Sequence, residues 1–332
     1  MSAARGPGSD DRALTVTDLT VEFETEDLVA NAVQDVSFHV DRGETLAIVG
    51  ESGSGKSVTA RALMGLVGAP GRVTSGSIRL GDEELVGRPA REMRAIRGSR
   101  IAMVFQDSLS ALNPVFTIGQ QLGETLRVHR GLSRRAARAK AIELLERVRI
   151  PDPERRVDQY PHEFSGGMRQ RAMIAMSIAL EPEVLVADEP TTALDVTVQA
   201  QIMALLADLQ RERRMALVLI THDLGVVAQR ADRVAVMYAG RIVEQGTTRE
   251  LFRAPAHGYT RALLEAIPRP DASSGRMVAI PGTAPGLSGR TTGCAFAPRC
   301  AFAVDACREG LVTTTVTEGH VTACREWERV VA

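Results

Sequence analysis

The stretch GESGSGKS, residues 50–57, decides how the rest of the chain is read. It fits the pattern G-x-x-x-x-G-K-[ST] and stands where that pattern has a mechanism, after the apolar run TLAIV and before the helical pattern SVTARALMGLV. Gly50, Gly53 and Gly55 let the backbone turn its N–H groups inward around phosphate, with Glu51, Ser52, Ser54 and Val58 completing the loop and first turn. The start of the helix adds a dipole that favours an anion. In this reading Lys56 reaches the β- and γ-phosphates of a nucleotide and the Ser57 hydroxyl ligates Mg²⁺. Of the 40 basic residues only Lys56 and Lys140 are lysine. Composition alone therefore does not account for a lysine at this position.

Working outward, EVLVADEP at 183–190 is a continuous apolar run ending in Asp188 and Glu189, the pattern of a buried parallel strand. Two adjacent carboxylates at a strand end are costly unless they meet a cation or water. Beside a phosphate loop, Asp188 holds Mg²⁺ through water. Glu189 polarises the attacking water as general base, a role worth about 10²–10⁴ in rate. The amphipathic segment TVQAQIMALLADLQRER then leads to a second buried run, ALVLITHD. This alternation predicts an α/β fold with a mainly parallel sheet. Residues 14–49 and 76–106 carry short β-type runs, whereas apolar spacing of three to four residues predicts a helical insert over about 107–180.

The texture changes near residue 240–250. APAHGYTRALLEAI reads as helix, and the stretch around 268–292 is rich in Pro, Gly and Ser, like a linker. The expected organisation is a disordered lead-in over 1–13, one large domain over 14–250 and an extension over 251–332.

FSGGMRQ at 164–170 opens another helical pattern. Here the sequence resembles the ABC ATPase family, whose signature reads LSGGQ. Phe164 and Met168 replace its Leu and Gln, departures familiar from the oligopeptide/dipeptide importer branch. A serine hydroxyl, small residues and a helix start suit a second phosphate clamp made by Ser165, Gly166 and Gly167. The resemblance covers about residues 14–250. It implies a P-loop ABC ATPase with a mainly parallel core, an antiparallel β subdomain, a helical insert and a small Cys-rich C-terminal extension. It also implies that Gln106 touches Mg²⁺ and water, that Asp195 lies at a dimer seam and that His222 contacts the γ-phosphate. Phe23 is the candidate aromatic for the adenine.

In this family two ATPase domains meet head to tail, so each ATP lies between one chain's phosphate loop and the other's signature. The implied partners are two transmembrane permeases, a second ABC ATPase (a heterodimer by family habit) and an extracytoplasmic binding protein. The implied cargo is di- or oligopeptides; nickel and other small solutes use closely similar subunits. A soluble ABC protein acting on ribosomes or DNA is the contrasting class, but such members carry two cassettes or long coiled-coil inserts.

Hydrophobic residues make up 44% of the chain, charged residues 24%, and the net charge is −1. That is the profile of a soluble globular protein and argues against a general nucleic-acid binder. No run approaches the roughly 18–20 apolar residues of a spanning helix, and MSAARGPGSDDRA lacks the apolar centre of a signal peptide. The expectation is a chain on the cytoplasmic face of the cell membrane, held there peripherally by its partners.

All four cysteines, Cys294, Cys300, Cys307 and Cys324, lie in the last 39 residues. The spacing C-x5-C-x6-C-x16-C contains no CxxC pair, against a zinc ribbon, and a reducing cytosol disfavours disulfides. Four thiolates suit an iron–sulfur cluster. GCAFAPRCAFAVDAC also resembles the C-terminal extension of the oligopeptide/dipeptide ATPases, which is associated with a [4Fe–4S] cluster in some members. Cluster, zinc or other Cys₄ metal, and unligated cysteines are the three open readings.

Overall fold

The computed structural model describes residues 11–24, 29–106, 111–192, 194–267, 280–286 and 292–332. Most of the expected lead-in and much of the linker-like stretch lie outside the described residues. In chain order the strands are β1 (Arg12–Glu24), β2 (Val29–Asp41), β3 (Thr45–Val49), β4 (Gly71–Leu80), β5 (Glu83–Glu84), β6 (Ile101–Val104), β7 (Val184–Asp188), β8 (Ala216–Ile220), β9 (Arg233–Tyr238), β10 (Arg241–Thr247), β11 (Thr314–Thr317) and β12 (His320–Thr322). Two compact units result. The first holds Met1–Leu14, Val40–Glu44 and Gly87–Leu219; the second holds Thr15–His39, Thr45–Val86 and Ile220–Ala332.

The first unit carries strands in the order β8-β7-β6. β6 and β7 pair in parallel, Ile101 opposite Val184 through Val104 opposite Ala187. Every residue of β7 and β8 is buried, which is why these strands read as unbroken apolar runs rather than alternating ones. The helical insert is built from Ile118–Arg130, Arg134–Arg147 and Gly166–Ile178, with Val196–Arg213 following β7. Thr117 starts the first of these with a capping box, its hydroxyl accepting from Gln120 N while the Gln120 side chain accepts from Thr117 N. Short strands were expected throughout 76–106, but Ala90–Ile96 is a helix. Seven residues are too few to show a period; its buried face is only Met93 and Ile96, one turn apart.

The second unit contains a four-stranded sheet, β2-β1-β4-β5, and strands in the order β11-β12-β10-β9-β3. β3 and β9 are parallel, Val49 opposite Val236. β9 and β10 form a hairpin closed by Ala239 (φ +48°) and Gly240 (φ +80°), the left-handed pair that a two-residue turn requires. The C-terminal hairpin β11–β12 adds to the edge of β10 through Glu244 opposite Thr322 and Gln245 opposite Val321. The segments before this hairpin share a core with the sheet. Ala47, Val49, Val234, Val236, Tyr238 and Val243 of the strands cluster with Tyr259 and Phe296 from beyond residue 250.

A buried carboxylate locks this arrangement. Glu244 on β10 is 1% exposed. It accepts from the N–H of Ala256 (2.7 Å) and His257 (2.9 Å) and pairs with His320 Nε2 on β12 at 2.8 Å. Two chain segments, residues 256–257 and β12, thus end on one side chain of β10.

The loop after β3 is fixed with equal economy. A Cβ at Gly50 would lie 2.1 Å from the Met237 carbonyl oxygen of β9, whereas one at Gly53 would meet open space. Gly53 is needed only for its φ of +78°.

Two outcomes are expected. Glu244→Ala should lower stability by about 3–5 kcal/mol, because it strands buried donors without a partner, measured by urea unfolding. Gly50→Ala should reduce the melting temperature more than Gly53→Ala does, since the latter carries only the left-handed penalty of about 1–2 kcal/mol.

Candidate nucleotide site

In the second unit, Gly55 (φ +103°) caps the helix Lys56–Leu63. Lys56 is buried. Its Nζ donates to the carbonyl oxygens of Gly50 and Glu51, both at 2.8 Å, and to Ser54 Oγ at 3.3 Å. The ammonium is therefore enclosed by loop oxygens at a helix start, the arrangement into which phosphate oxygens fit. Ser57 and Val58 follow in the first turn, half-buried, while Ser52 and Gly53 stand exposed at the loop tip. Phe23 is half-buried with its ring against Gly71, where a Cβ would lie 2.7 Å from it.

His222 is exposed on the turn after β8. Thr221 N donates to the Ile48 carbonyl at 3.3 Å, which ties this turn to the strand that launches the phosphate loop. Asp223 N donates to Thr221 Oγ1 at 3.0 Å, and the Asp223 carboxylate caps the helix Leu224–Arg230 by accepting from Gly225 N and Val226 N. The histidine is thus held between two anchored neighbours.

In the first unit, Asp188 ends β7 with 4% exposure. Glu189 follows at φ +47°, a left-handed conformation that costs a non-glycine residue about 1–3 kcal/mol and concentrates at functional positions. Its carboxylate accepts from Gln106 Nε2 at 3.0 Å and from Thr192 Oγ1 at 2.8 Å. Gln106 and Glu189, 83 residues apart in sequence, are brought together; Thr192 carried no sequence signal of its own.

The SGG segment begins the helix Gly166–Ile178. Phe164 is buried, and Ser165 and Gly166 are exposed. Ser165 Oγ accepts from Met168 N at 3.3 Å as N-cap. Asp195 caps Val196–Arg213 by accepting from Val198 N at 2.9 Å. A Cβ on Gly167 would lie 2.8 Å from Val198 Cγ1, so this glycine also lets the two helix starts approach. Gln106, Ser165, Gly166, Gly167, Asp188, Glu189 and Asp195 therefore belong to the first unit, and Phe23, the phosphate loop and His222 to the second.

The four cysteines line one small cavity in the second unit, together with His257. Burial raises the thiols of Cys294 and Cys300 and pushes Cys324 up to about 11. His257 is buried and held down to about 4, so the ring is neutral. Tyr259 N donates to its Nδ1 at 3.1 Å; this assigns the ring proton to Nε2, which faces Cys294 Sγ at 3.8 Å. Among the described residues, no three His, Cys, Asp or Glu side chains are grouped so as to hold a metal ion.

One set of contacts was invisible in the sequence. Glu51 of the phosphate loop pairs with Arg299, and its backbone N–H donates to the Tyr259 hydroxyl at 2.7 Å. Nothing in the local pattern around Arg299 marks a partner 248 residues away.

Comparison with known proteins agrees with this geometry. Residues 33–192 match the family model described as ABC transporter, and residues 243–307 match that described as oligopeptide/dipeptide transporter, C-terminal region. The chain is 50% identical over 324 residues to a probable peptide ABC transporter ATP-binding protein of Sinorhizobium fredii, covering 97% of each chain. It is 50% identical over 311 residues to the oligopeptide transport ATP-binding protein OppD of Haemophilus influenzae, covering 94% of this chain and 96% of that one. Among solved structures, a dimeric ATP-binding cassette in a post-hydrolysis state bound to ADP and Pi matches with a TM-score of 0.65 at 28% identity, covering 71% of this chain and 99% of that one. CbiO1 of Clostridium perfringens, part of an ABC transporter complex, matches with a TM-score of 0.63 at 30% identity, over 73% of this chain and 91% of that one. A phosphate loop around a buried lysine, a strained glutamate after an apolar strand and these matches converge: the chain belongs to the ATP-hydrolysing subunits of ABC transporters, in the oligopeptide/dipeptide branch.

Proposed function

We propose that this chain powers the import of di- or oligopeptides by binding and hydrolysing ATP against partner permeases. The observation that carries the ATP reading is the Lys56 ammonium held inside a ring of loop oxygens at a helix start. Backbone N–H groups of Gly53, Gly55 and Lys56 cradle the phosphates, and Lys56 exchanges its loop oxygens for those of the β- and γ-phosphates. Ser57, Gln106 and, through water, Asp188 would hold Mg²⁺, which would supply neutralising charge to the phosphates. Phe23 stacks on the adenine. His222 contacts the γ-phosphate.

Glu189 orients the attacking water and accepts its proton. The hydrogen bonds from Gln106 and Thr192 hold its carboxylate in place, the fixed geometry that a general base requires. Ser165, Gly166 and Gly167 clamp the phosphates bound by a second ATPase subunit, with Asp195 at the seam. The exposure of Ser165 and Gly166 supports that role.

The peptide cargo rests on relatives named for peptide or oligopeptide transport, one of them for peptide import. An importer ATPase does not touch its cargo, so nickel or another small solute is the second reading. Two permeases, a second ATPase of related sequence and an extracytoplasmic binding protein complete the proposed system. No helix among the described residues is long and apolar enough to cross a membrane, and the proposed position is the cytoplasmic face, held by those partners.

We extend the proposal to a [4Fe–4S] cluster held by Cys294, Cys300, Cys307 and Cys324. Their lining of one cavity supports it. A single tetrahedral zinc needs its sulfurs within about 3.8 Å of one another, from a Zn–S bond of about 2.3 Å. A cluster, with each thiolate on a different iron, tolerates a wider set. When bound, the cluster would crosslink the extension; ATP hydrolysis itself transfers no electrons. The neutral His257 would direct its Nε2–H at the Cys294 sulfur and stabilise the thiolate.

Isolation of the tagged chain from detergent-solubilised membranes should recover two permeases and a related ATPase. Recovery only with ribosomes or DNA-repair proteins would refute the transport role. In the assembled complex, Glu189→Gln should lower hydrolysis about 10²–10⁴-fold while ATP remains bound; turnover at the wild-type rate would remove Glu189 as the base. Anaerobically purified protein should be brown and carry iron and sulfide, whereas colourless, iron-free protein from iron-replete cells would rule the cluster out.

A further inference from the structure

The second residue of the phosphate loop is held from three sides. The Glu51 carbonyl accepts from Lys56 Nζ at 2.8 Å and from Ser54 N at 3.2 Å. Its N–H donates to the hydroxyl of Tyr259, which is fully buried. Its carboxylate accepts two parallel hydrogen bonds from Arg299, Nη1 to Oε2 at 2.9 Å and Nη2 to Oε1 at 3.1 Å. Two of these three anchors come from the C-terminal region beyond residue 250. The third is the lysine that the loop presents to phosphate.

Arg299 is itself immobilised. Its side chain is 8% exposed. Nε donates to the Pro281 carbonyl at 2.8 Å, and Nη1 also donates to the Tyr238 hydroxyl at 3.1 Å. The guanidinium lies 5.9 Å from the Tyr238 ring centre and 5.7 Å from that of Phe296, in range of the attraction between a cation and an aromatic face. Tyr238, Tyr259 and Phe296 pack on one another with ring centres 4.5–5.3 Å apart. The backbone of Arg299 ends the 3₁₀ turn Ala297–Arg299, between Cys294 and Cys300.

The chemistry of this contact concerns the nucleotide. A carboxylate in the second position of a phosphate loop repels the triphosphate that the loop must accept. A bidentate guanidinium neutralises that charge and fixes the loop peptide at once, with stronger hydrogen bonds than neutral donors form. Fixing the loop before ATP arrives also removes an ordering cost from binding.

Resting on the reading of residues 50–57 as the ATP phosphate loop, we propose that Arg299 is a positioning residue for ATP, through which the Cys-rich extension braces Glu51 and cancels its charge. The brace acts on affinity rather than on chemistry. The side-chain hydrogen bonds of Arg299 described above go to Glu51, Tyr238 and Pro281, none of which has a part in the hydrolytic step.

The test uses the full-length chain, with Mg-ATP titrated against wild type, Arg299→Gln, Glu51→Gln and the double variant, and with steady-state hydrolysis measured in the assembled complex. Arg299→Gln should raise the ATP Kd and KM about tenfold and leave kcat within twofold. Arg299→Lys, which keeps the charge but not the paired donors, should fall between. The double variant should recover most of the affinity, because removing the Glu51 charge makes its counter-ion dispensable; the coupling of the two substitutions is the quantity of interest. A loss in Arg299→Gln that Glu51→Gln does not relieve would overturn the proposal, since it would report lost packing. Unchanged affinity in Arg299→Gln, with binding abolished by Lys56→Ala, would also overturn it while leaving the phosphate-loop reading intact. Binding that survives Lys56→Ala would overturn that reading and the brace with it.

Discussion

The approach of Gly50 to the carbonyl of Met237 is the constraint on which the phosphate loop depends. β3 and β9 run parallel, and the loop leaves β3 where β9 offers a backbone oxygen instead of a side chain. A Cβ does not fit there. The Ala239–Gly240 turn continues the same contact, with Gly240 N donating to the Ser54 carbonyl at 2.9 Å. The phosphate loop is therefore shaped by backbone surfaces, that of β9 at Gly50 and that of β2 at Gly55, where a Cβ would lie 2.4 Å from the Ala32 carbonyl oxygen, and side chains enter afterwards: Lys56 from within the loop, Tyr259 and Arg299 from the C-terminal region.

The residues that hold ATP in the proposed mechanism have structural duties as well. Ser165 and Asp195 cap helices, Gly167 lets two helix starts meet, and Asp223 caps the helix that follows His222. Capping a helix and meeting a phosphate both require an oxygen or an exposed N–H at a helix start. Residue types suited to the first need are already near those suited to the second. Glu189 is the exception. Its backbone is left-handed, its carbonyl accepts from Thr192 N, and its carboxylate is fixed by Gln106 and Thr192.

What was legible in the sequence was what is close in the chain. GESGSGKS, VLVADE and FSGGMRQ each place a strand or helix end and its reactive groups within eight residues, so spacing alone carries them. β7 and β8 could be read because burial on both faces leaves an unbroken apolar run. The helix Ala90–Ile96 could not be read, since a two-residue buried face has no period. The pairing of Glu244 with His320, and of Glu51 with Arg299, joins residues 76 and 248 positions apart. Nothing local distinguishes such a charged residue from a solvated one. The clustering of the four cysteines was visible, but their shared cavity required the fold.

The grip of Arg299 on Glu51 also runs backwards. Coupling between two sites is reciprocal: whatever free energy the contact lends to nucleotide binding, bound nucleotide returns to the contact. The turn between Cys294 and Cys300 is then held more firmly in the ATP-bound chain than in the empty one. On the proposed brace, opening of that turn, and with it the access of solvent and oxidants to the two sulfurs, would follow the nucleotide cycle. The cysteine-rich end of the chain is in this sense a reporter on the phosphate loop as well as its support.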